Sequence, residues 1–305
     1  MGVDAQPASP RIGASTRIGT VRLTVRDLER ARRFYEQQLG LVPREQPDGT
    51  LLLVDGGSGS TALLELRADP TAPARDPGQT GLFHVAILVP SRRALAVSLA
   101  RLAEGRWPLN GASDHLVSEA LYLSDPDGNG IEVYRDRARA EWGHDPGGQL
   151  QMASLPLDLD SLLAELKESP PDPVLDGHVP AGTRIGHIHL QVAELSDIEA
   201  FYSGVLGFDV MVRAYPGALF LAAGGYHHHL GLNTWNSRGG GAPAPGAIGL
   251  RSFEVMLQDQ SALDEALWRV DAAGLATEPG PVGTTVVRDP SGNAVVLTAA
   301  RSYER

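Results

Sequence analysis

Three side chains able to hold a metal ion stand at matching places in repeated stretches of this sequence. Glu132 closes the stretch Asp125-Pro-Asp-Gly-Asn-Gly-Ile-Glu132, whereas the related stretch Asp289-Pro-Ser-Gly-Asn-Ala-Val-Val296 ends in valine. Asp-Pro-x-Gly-Asn is a tight turn: Pro presets φ while Gly and Asn accept positive φ, so the residues after it enter a strand in fixed register. His84 and His187 lie at two apolar strand starts, Phe83-His-Val-Ala-Ile-Leu-Val89 and Arg184-Ile-Gly-His-Ile-His-Leu-Gln-Val192. Side chains alternate along a strand. Val85, Ile87 and Val89 therefore take one face and His84 the other, while Ile188, Leu190 and Val192 oppose His187, His189 and Gln191. By the same alternation Glu132, between Ile131 and Val133, faces the side of the histidines. Taken singly, a strand histidine is more often a packed residue and such a turn only a hairpin. Together the three make the two-histidine, one-carboxylate triad of non-haem Fe(II) oxygenases, whose open positions take substrate and dioxygen. The matching places in the other repeats hold Thr20, Phe253 and Val296, which predicts one working site and one silent one.

The elements that must position these residues also repeat. Arg17-Ile-Gly-Thr-Val-Arg-Leu-Thr-Val-Arg-Asp-Leu28 aligns without a gap with Arg184-Ile-Gly-His-Ile-His-Leu-Gln-Val-Ala-Glu-Leu195. Each leads into a helix carrying Phe34-Tyr35 or Phe201-Tyr202, then Leu39-Gly40 or Leu206-Gly207. Two more strand starts, at Phe83 and Ser252, precede the two Asp-Pro turns. Four modules result, each a strand, a helix and several short strands, in an α+β chain. Residues 17–136 are expected to form an N-terminal domain of modules one and two, and 183–301 a C-terminal domain of modules three and four. Between them, 137–182 reads as a linker rich in Pro, Gly and acid, with one short amphipathic helix over 158–167. Residues 237–246 read as a loop or a lid joining modules three and four.

A chain of 305 residues is long enough for two domains, and 42% hydrophobic with 21% charged residues is ordinary for a soluble globular protein. No apolar run reaches the roughly 18 residues of a membrane helix, and residues 1–15 read as a loose tail rather than a signal peptide. A cytoplasmic protein with no membrane partner is expected. The chain has no cysteine, which excludes disulfides and thiolate metal sites and leaves His, Asp and Glu to carry any metal. A net charge of −11 argues against nucleic acid, whose phosphates need clustered Lys and Arg, and favours a small-molecule partner.

These βαβββ modules, with the strand start at His187, the Phe-Tyr and Leu-Gly pairs and the Asp-Pro-x-Gly-Asn-x-x-Glu ending, resemble the vicinal oxygen chelate superfamily. That superfamily includes glyoxalase I, bleomycin resistance proteins and type I extradiol dioxygenases. Within it the chain is most similar to two-domain bacterial catechol 2,3-dioxygenases of the Bacillus type. The likeness covers about 17–300, and its most specific words are Glu119-Ala-Leu-Tyr-Leu-Ser-Asp-Pro-Asp-Gly-Asn-Gly-Ile-Glu132, Ile185-Gly-His-Ile-His-Leu190 and Ala223-Gly-Gly-Tyr-His-His-His-Leu-Gly-Leu-Asn233. It implies modules paired into two open-barrel bowls, one holding Fe(II), or Mn(II) in the same ligand set, and a reaction of a catechol with O2 to a muconic semialdehyde.

The resemblance draws one histidine from one module, and a histidine and a glutamate from its partner. Module two supplies His84 and Glu132. Pairing modules in sequence would set Thr20 beside them, or leave His187 with Phe253 and Val296. Only module two with module three completes the set as His84, Glu132 and His187, within one chain or between the chains of a homo-oligomer. The family pattern also implies Tyr122, ten residues before the ligand glutamate, and a histidine three residues before Gly231, the counterpart of Glu132 in module three, which is His228. Strict alternation with Leu230 and Leu232 would instead turn His227 and His229 inward, so His228 requires a bulge. Three consecutive histidines could also form a separate metal patch. His115, seven residues before Tyr122, resembles a further active-site histidine at a spacing two residues short of the family's.

Weaker candidates are His189, a substrate contact or a packed histidine, and Glu65, a remnant in the silent bowl. Trp142, Trp235 and Asn233 line a pocket or pack in the core, and His144 and His178 are solvated. Two other functions remain open. A glyoxalase-type lyase or isomerase needs a carboxylate where Gly231 stands, and a ligand-sequestering relative needs no triad.

Overall fold

The computed structural model describes residues 11–59, 61–167, 177–281 and 283–300. Most of the N-terminal tail and the Glu168-Ser-Pro-Pro-Asp-Pro-Val part of the linker lie outside them. Module one consists of β1 (Arg17–Val25), α1 (Leu28–Arg33), β2 (Val42–Glu45), β3 (Leu51–Val54) and β4 (Leu64–Ala68). Module two follows with β5 (Gly81–Leu88), α2 (Arg92–Glu104), β6 (Gly111–Asp114), β7 (Ser118–Ser124) and β8 (Gly130–Asp136). The linker contributes a short strand, β9 (Leu155–Pro156), and the short helix α3 (Leu159–Ala164). Module three is β10 (Arg184–Gln191), α4 (Leu195–Glu199), β11 (Asp209–Val212), β12 (Ala218–Ala222) and β13 (Leu230–Asn233). Module four is β14 (Gly249–Leu257), α5 (Gln260–Ala272), β15 (Thr277–Pro279), β16 (Thr285–Arg288) and β17 (Ala294–Ala299).

Two sheets result, and each draws one module from either side of the linker. One runs β15-β16-β17-β14-β1-β4-β3-β2, joining modules four and one; the other runs β11-β12-β13-β10-β5-β8-β7-β6-β9, joining modules three and two. In every module the first and last strands pair in parallel, and the first strands of partner modules pair antiparallel at the middle of the sheet. Strand alternation sends Val85, Ile87, Ile188 and Leu190 into the core shared with the helices, together with Val21, Leu23, Phe253 and Val255 of the other sheet. The opposite face of each sheet is left to line a bowl.

Sequential modules are tied through their turns. Asp125 accepts hydrogen bonds from the backbone N–H groups of Asp127 and Asn129, at 2.9 and 2.8 Å, and from the Asn129 amide, at 2.8 Å. Its remaining capacity takes the buried hydroxyl of Tyr35 at 2.9 Å. Asp289 repeats the arrangement with Tyr202 at 3.0 Å. The Phe-Tyr pair thus sits in a π-helical turn after α1 or α4 so that its tyrosine can reach the next module's Asp-Pro turn. Gly128 and Gly292, with φ of 86° and 85°, hold the left-handed positions of these turns.

One expected correspondence shifts by a residue. Across the central ladders His84 pairs with His189, whereas Arg22, the counterpart of His189, pairs with Ser252. The residue standing where His84 stands is therefore Ser252, not Phe253. Alternation explains the correction: Phe253 shares its face with Val255 and Leu257 and is fully buried in the core. Val296 does match Glu132, since the two pair with the equivalent residues Glu254 and Ala86.

Candidate metal centre

The metal-capable residues converge over one small side chain. Ala86 of β5 is the register partner of Glu132 on β8 and also of His187 on β10. His84 lies two residues earlier on the same face of β5, and a methyl group at position 86 leaves the space above the sheet open. Bulges flank this segment of the β5–β10 ladder, between Ile185 and His187 and between His189 and Leu190. Extra residues at such points re-aim side chains next to a site.

The Nε2 atoms of His84 and His187 lie 2.9 and 3.0 Å from the same Glu132 oxygen, Oε2, and the three donor atoms fall within 4.8 Å of one another. Ligands at right angles about 2.1 Å from one ion are about 3.0 Å apart. His187 is aligned to hydrogen-bond Glu132, but His84 Nε2, equally close, is buried without a properly directed partner. A buried nitrogen left in that state is costly unless something else takes its lone pair. Burial pushes the His187 imidazole down to about 4. Burial would raise the Glu132 carboxyl, yet the contacts with His187 and His84 outweigh it and hold the group well below its usual range. Neutral imidazole and ionised carboxylate are the states a divalent cation binds, so the residues present fit an ion of this class.

The triad opens into a cavity of about 490 Å³, whose aromatic wall includes Phe83, Tyr215, Phe220 and Trp235. Tyr122, opposite Glu132 on β7, lines it beside His115. The Nδ1 of His115 lies 2.6 Å from the carbonyl of Ala153, which can only accept, so Nδ1 carries the proton. Its Nε2 then accepts the Tyr122 hydroxyl at 2.7 Å. Burial, and then the negative charge of Glu132, raise the Tyr122 phenol well above its ordinary value, so it stays protonated.

Of the three consecutive histidines, only His228 lines this cavity. They precede β13 rather than forming part of it, so alternation does not govern them and no bulge in that strand is needed. His227 is fully buried and donates Nε2–H to Asp136 Oδ1 at 2.8 Å. With a neutral His227 ring its Nδ1 accepts from Nδ1–H of His228, 2.9 Å away, which leaves the lone pair of His228 Nε2 free. The His228 ring packs on that of His187, with centroids 4.1 Å apart, and burial keeps it neutral. His229 points elsewhere and accepts the backbone N–H of Ala223.

His189 is held by Asn233, whose Nδ2 lies 3.0 Å from its Nε2. Its ring occupies the space above Gly231, where an added Cβ would come within 2.9 Å of His189 Cγ. Trp142 packs with Tyr226 and Val117 away from the cavity. Two residues of the site, Asp136 and Ala86, have no place in the metal-ligand pattern of the sequence. Glu132, Tyr134 and Asp136 share one strand face by alternation, and that is the signal that marks Asp136.

In the other sheet the corresponding space is filled. Arg22 stands at the position of His189, Glu65 at that of Gly231 and Glu254 at that of Ala86. Arg22 pairs with Glu65 at 3.1 Å and with Glu254 at 2.6 Å, and Arg251 adds a contact to Glu65 at 3.2 Å. Glu65 is thus one member of an ion-pair network, with the guanidinium at its centre.

The family model described as Glyoxalase/Bleomycin resistance protein/Dioxygenase superfamily matches residues 17–133 and 184–297. The chain is 42% identical over 290 residues to a catechol-2,3-dioxygenase of Bacillus subtilis (strain 168), covering 93% of this chain and 98% of the relative. Among solved structures, one from Bacillus subtilis subsp. subtilis str. 168, named only provisionally as a dioxygenase, matches with a TM-score of 0.63 at 13% identity, over 96% of this chain and 86% of the other. Glyoxalase I from Zea mays matches with a TM-score of 0.55 at 18% identity, over 93% and 92%. At these identities the structural matches speak for the fold alone. The paired βαβββ modules and the two matched segments agree: the chain belongs to the Glyoxalase/Bleomycin resistance protein/Dioxygenase superfamily.

Proposed function

We propose that this chain is an extradiol ring-cleaving dioxygenase that converts a catechol and O2 to a muconic semialdehyde, with the metal held by His84, Glu132 and His187. The observation that carries the reading is the convergence of these three over Ala86, in a chain 42% identical to a catechol-2,3-dioxygenase. Fe(II), or Mn(II) in the same ligand set, would supply chelation of two vicinal oxygens, a place for dioxygen and a route for electron density from ring to oxygen.

The protein's own groups account for binding and proton movement. His228 offers an unprotonated Nε2 to the cavity and takes the proton of a catechol hydroxyl, returning it as the ring opens. Asp136 and His227 fix the tautomer that makes this possible. Tyr122, whose own proton is directed to His115, accepts a hydrogen bond from the substrate through its oxygen. Phe83, Phe220 and Trp235 hold the ring and keep water away from it.

A glyoxalase-type lyase would need a carboxylate at position 231, and the His189 ring occupies that space. Among the described residues no helix is long and apolar enough to cross a membrane, and we place the enzyme in the cytoplasm. The test is oxygen uptake with catechol by protein reconstituted with Fe(II) under nitrogen, together with the visible absorbance of the ring-opened product. Stoichiometric uptake supports the reading, and none with reconstituted, iron-loaded protein sinks it.

A further inference from the structure

The candidate site holds one cation that the proposed chemistry does not use. Among the described residues Arg75 is the only Lys or Arg on the wall of the triad cavity, and Glu132 is the only carboxylate. Arg75 is half-buried. Its one hydrogen bond is a long contact of 3.5 Å from Nη1 to the carbonyl of Thr80. Burial pushes its pKa below the ordinary guanidinium value, and among the described residues it forms no ion pair. Two other arginines around the bowls have carboxylate partners: Arg22 pairs with Glu65 and Glu254, and Arg251 with Glu65. An unneutralised guanidinium drawn into a mainly apolar cavity loses hydration without recovering it from the protein, and a planar carboxylate is the group its fork fits.

Its position agrees with that role. The guanidinium lies over Gly81 at the start of β5, where an added Cβ would stand 3.4 Å from Nη1. Gly81 precedes His84 by three residues, about 10 Å along a strand, and Phe83 lies between them on the cavity wall with Trp235 packed on it. An aromatic ring with its two oxygens toward His84 would rest on Phe83 and direct a short acidic arm toward Arg75.

We infer that Arg75 selects an anionic ring substituent, so that the substrate class is a catechol bearing a carboxylate. This rests on the ring-cleavage reading for the identity of the diol, but not for the ionic contact. Arg75 also borders a second cavity of about 780 Å³ with Arg67, Arg251 and Arg288, and the alternative is that it serves only that space.

The test is calorimetric titration under nitrogen, with and without Fe(II), using 3,4-dihydroxyphenylacetate and the neutral 4-ethylcatechol. The acid should bind about tenfold or more tightly than its neutral counterpart. In Arg75→Gln the ratio should fall to about one, and in Arg75→Lys it should lie between, with thermal melts verifying that both variants fold. Equal affinity for the two compounds, or a preference that survives in Arg75→Gln, overturns the inference and leaves Arg75 to the second cavity. Oxygen uptake separates the two claims. Turnover of 4-ethylcatechol without acid preference leaves ring cleavage standing and removes the carboxylate subsite, whereas Arg75-dependent acid binding without turnover of either compound does the reverse.

Discussion

Asp136 and His227 are 91 residues apart in sequence and 2.8 Å apart in the fold, and that contact decides which nitrogen of His228 faces the candidate substrate. Asp136 also receives the hydroxyl of Tyr226 at 3.1 Å, so its lone pairs are committed on one side. In Asp136→Asn the amide can donate to His227 Nε2, which reverses the tautomers of both histidines and puts a proton where His228 needs a lone pair. kcat should fall about 10–100-fold, the scale seen when a group orienting an active residue is lost, while iron content stays at the wild-type level. Metal analysis and steady-state kinetics on the same preparation check this. Iron loss in step with activity would make Asp136 structural instead.

Ala86 sets the size of the candidate metal centre, because Glu132 and His187 are both its register partners. In Ala86→Leu all three ligands remain, but the new side chain fills the space they converge on. Iron binding should drop as far as in His84→Ala or His187→Ala, although no ligand has changed. Overpacking a tight site should also lower stability by about 1–3 kcal/mol. Iron content by emission spectroscopy and urea midpoints separate the two effects, and wild-type iron occupancy in this variant would count against the convergence over position 86.

Much of this arrangement is legible in the amino-acid sequence. Alternation about His84, His187 and Glu132 puts all three on one side of their strands, and the ligand set that the family resemblance implies, with no histidine at Thr20, points to module two pairing with module three. The repeat misplaces Phe253 when its strand is aligned by the apolar run, because the register between β14 and β1 puts Ser252 on the bowl side. Alternation cannot decide His228, since that residue lies in the segment before β13 and not in the strand. Contacts between remote residues carry the rest. The Asp136–His227 bond, the Arg22 network and the approach of Arg75 to the cavity depend on how modules far apart in sequence stack, and no local pattern encodes that.

Acid should destabilise the metal-free protein partly through His229. Burial, helped by His227 and His187, pushes this imidazole down to about 3 from 6.5, and its Nδ1 accepts the Ala223 N–H, which requires the neutral ring. The folded value is the lower one, so the unfolded chain takes up the proton first. The contribution is complete above pH 6.5 and is lost as pH falls toward 3, at up to about 1.4 kcal/mol per pH unit. His229→Gln keeps an acceptor for Ala223 but cannot titrate. Urea unfolding with a chelator present, at about pH 7 and about pH 5, should therefore show a smaller loss for the variant. Equal losses would mean that His229 is not the titrating group.

Arg22 occupies the silent bowl much as an ion occupies a metal site, with a carboxylate on either side and a side chain only 9% exposed. Glu254, which stands where Ala86 stands in the other sheet, accepts from the guanidinium and also from the backbone N–H of Thr20 at 3.2 Å. Arg22→Met keeps much of the side-chain volume but strips the central charge, leaving Glu254 without a cation and Glu65 with Arg251 alone. Breaking such a pair from one side typically costs about 3–5 kcal/mol. Adding Glu254→Gln to Arg22→Met should restore a large part of that loss, since the buried negative charge is then gone as well. Denaturant melts of the two single variants and the double variant measure the coupling directly. Iron content should be the same in all of them, because the triad lies in the other sheet. Additive losses in the double variant would show that the network is solvated and that packing, not charge, holds this bowl closed.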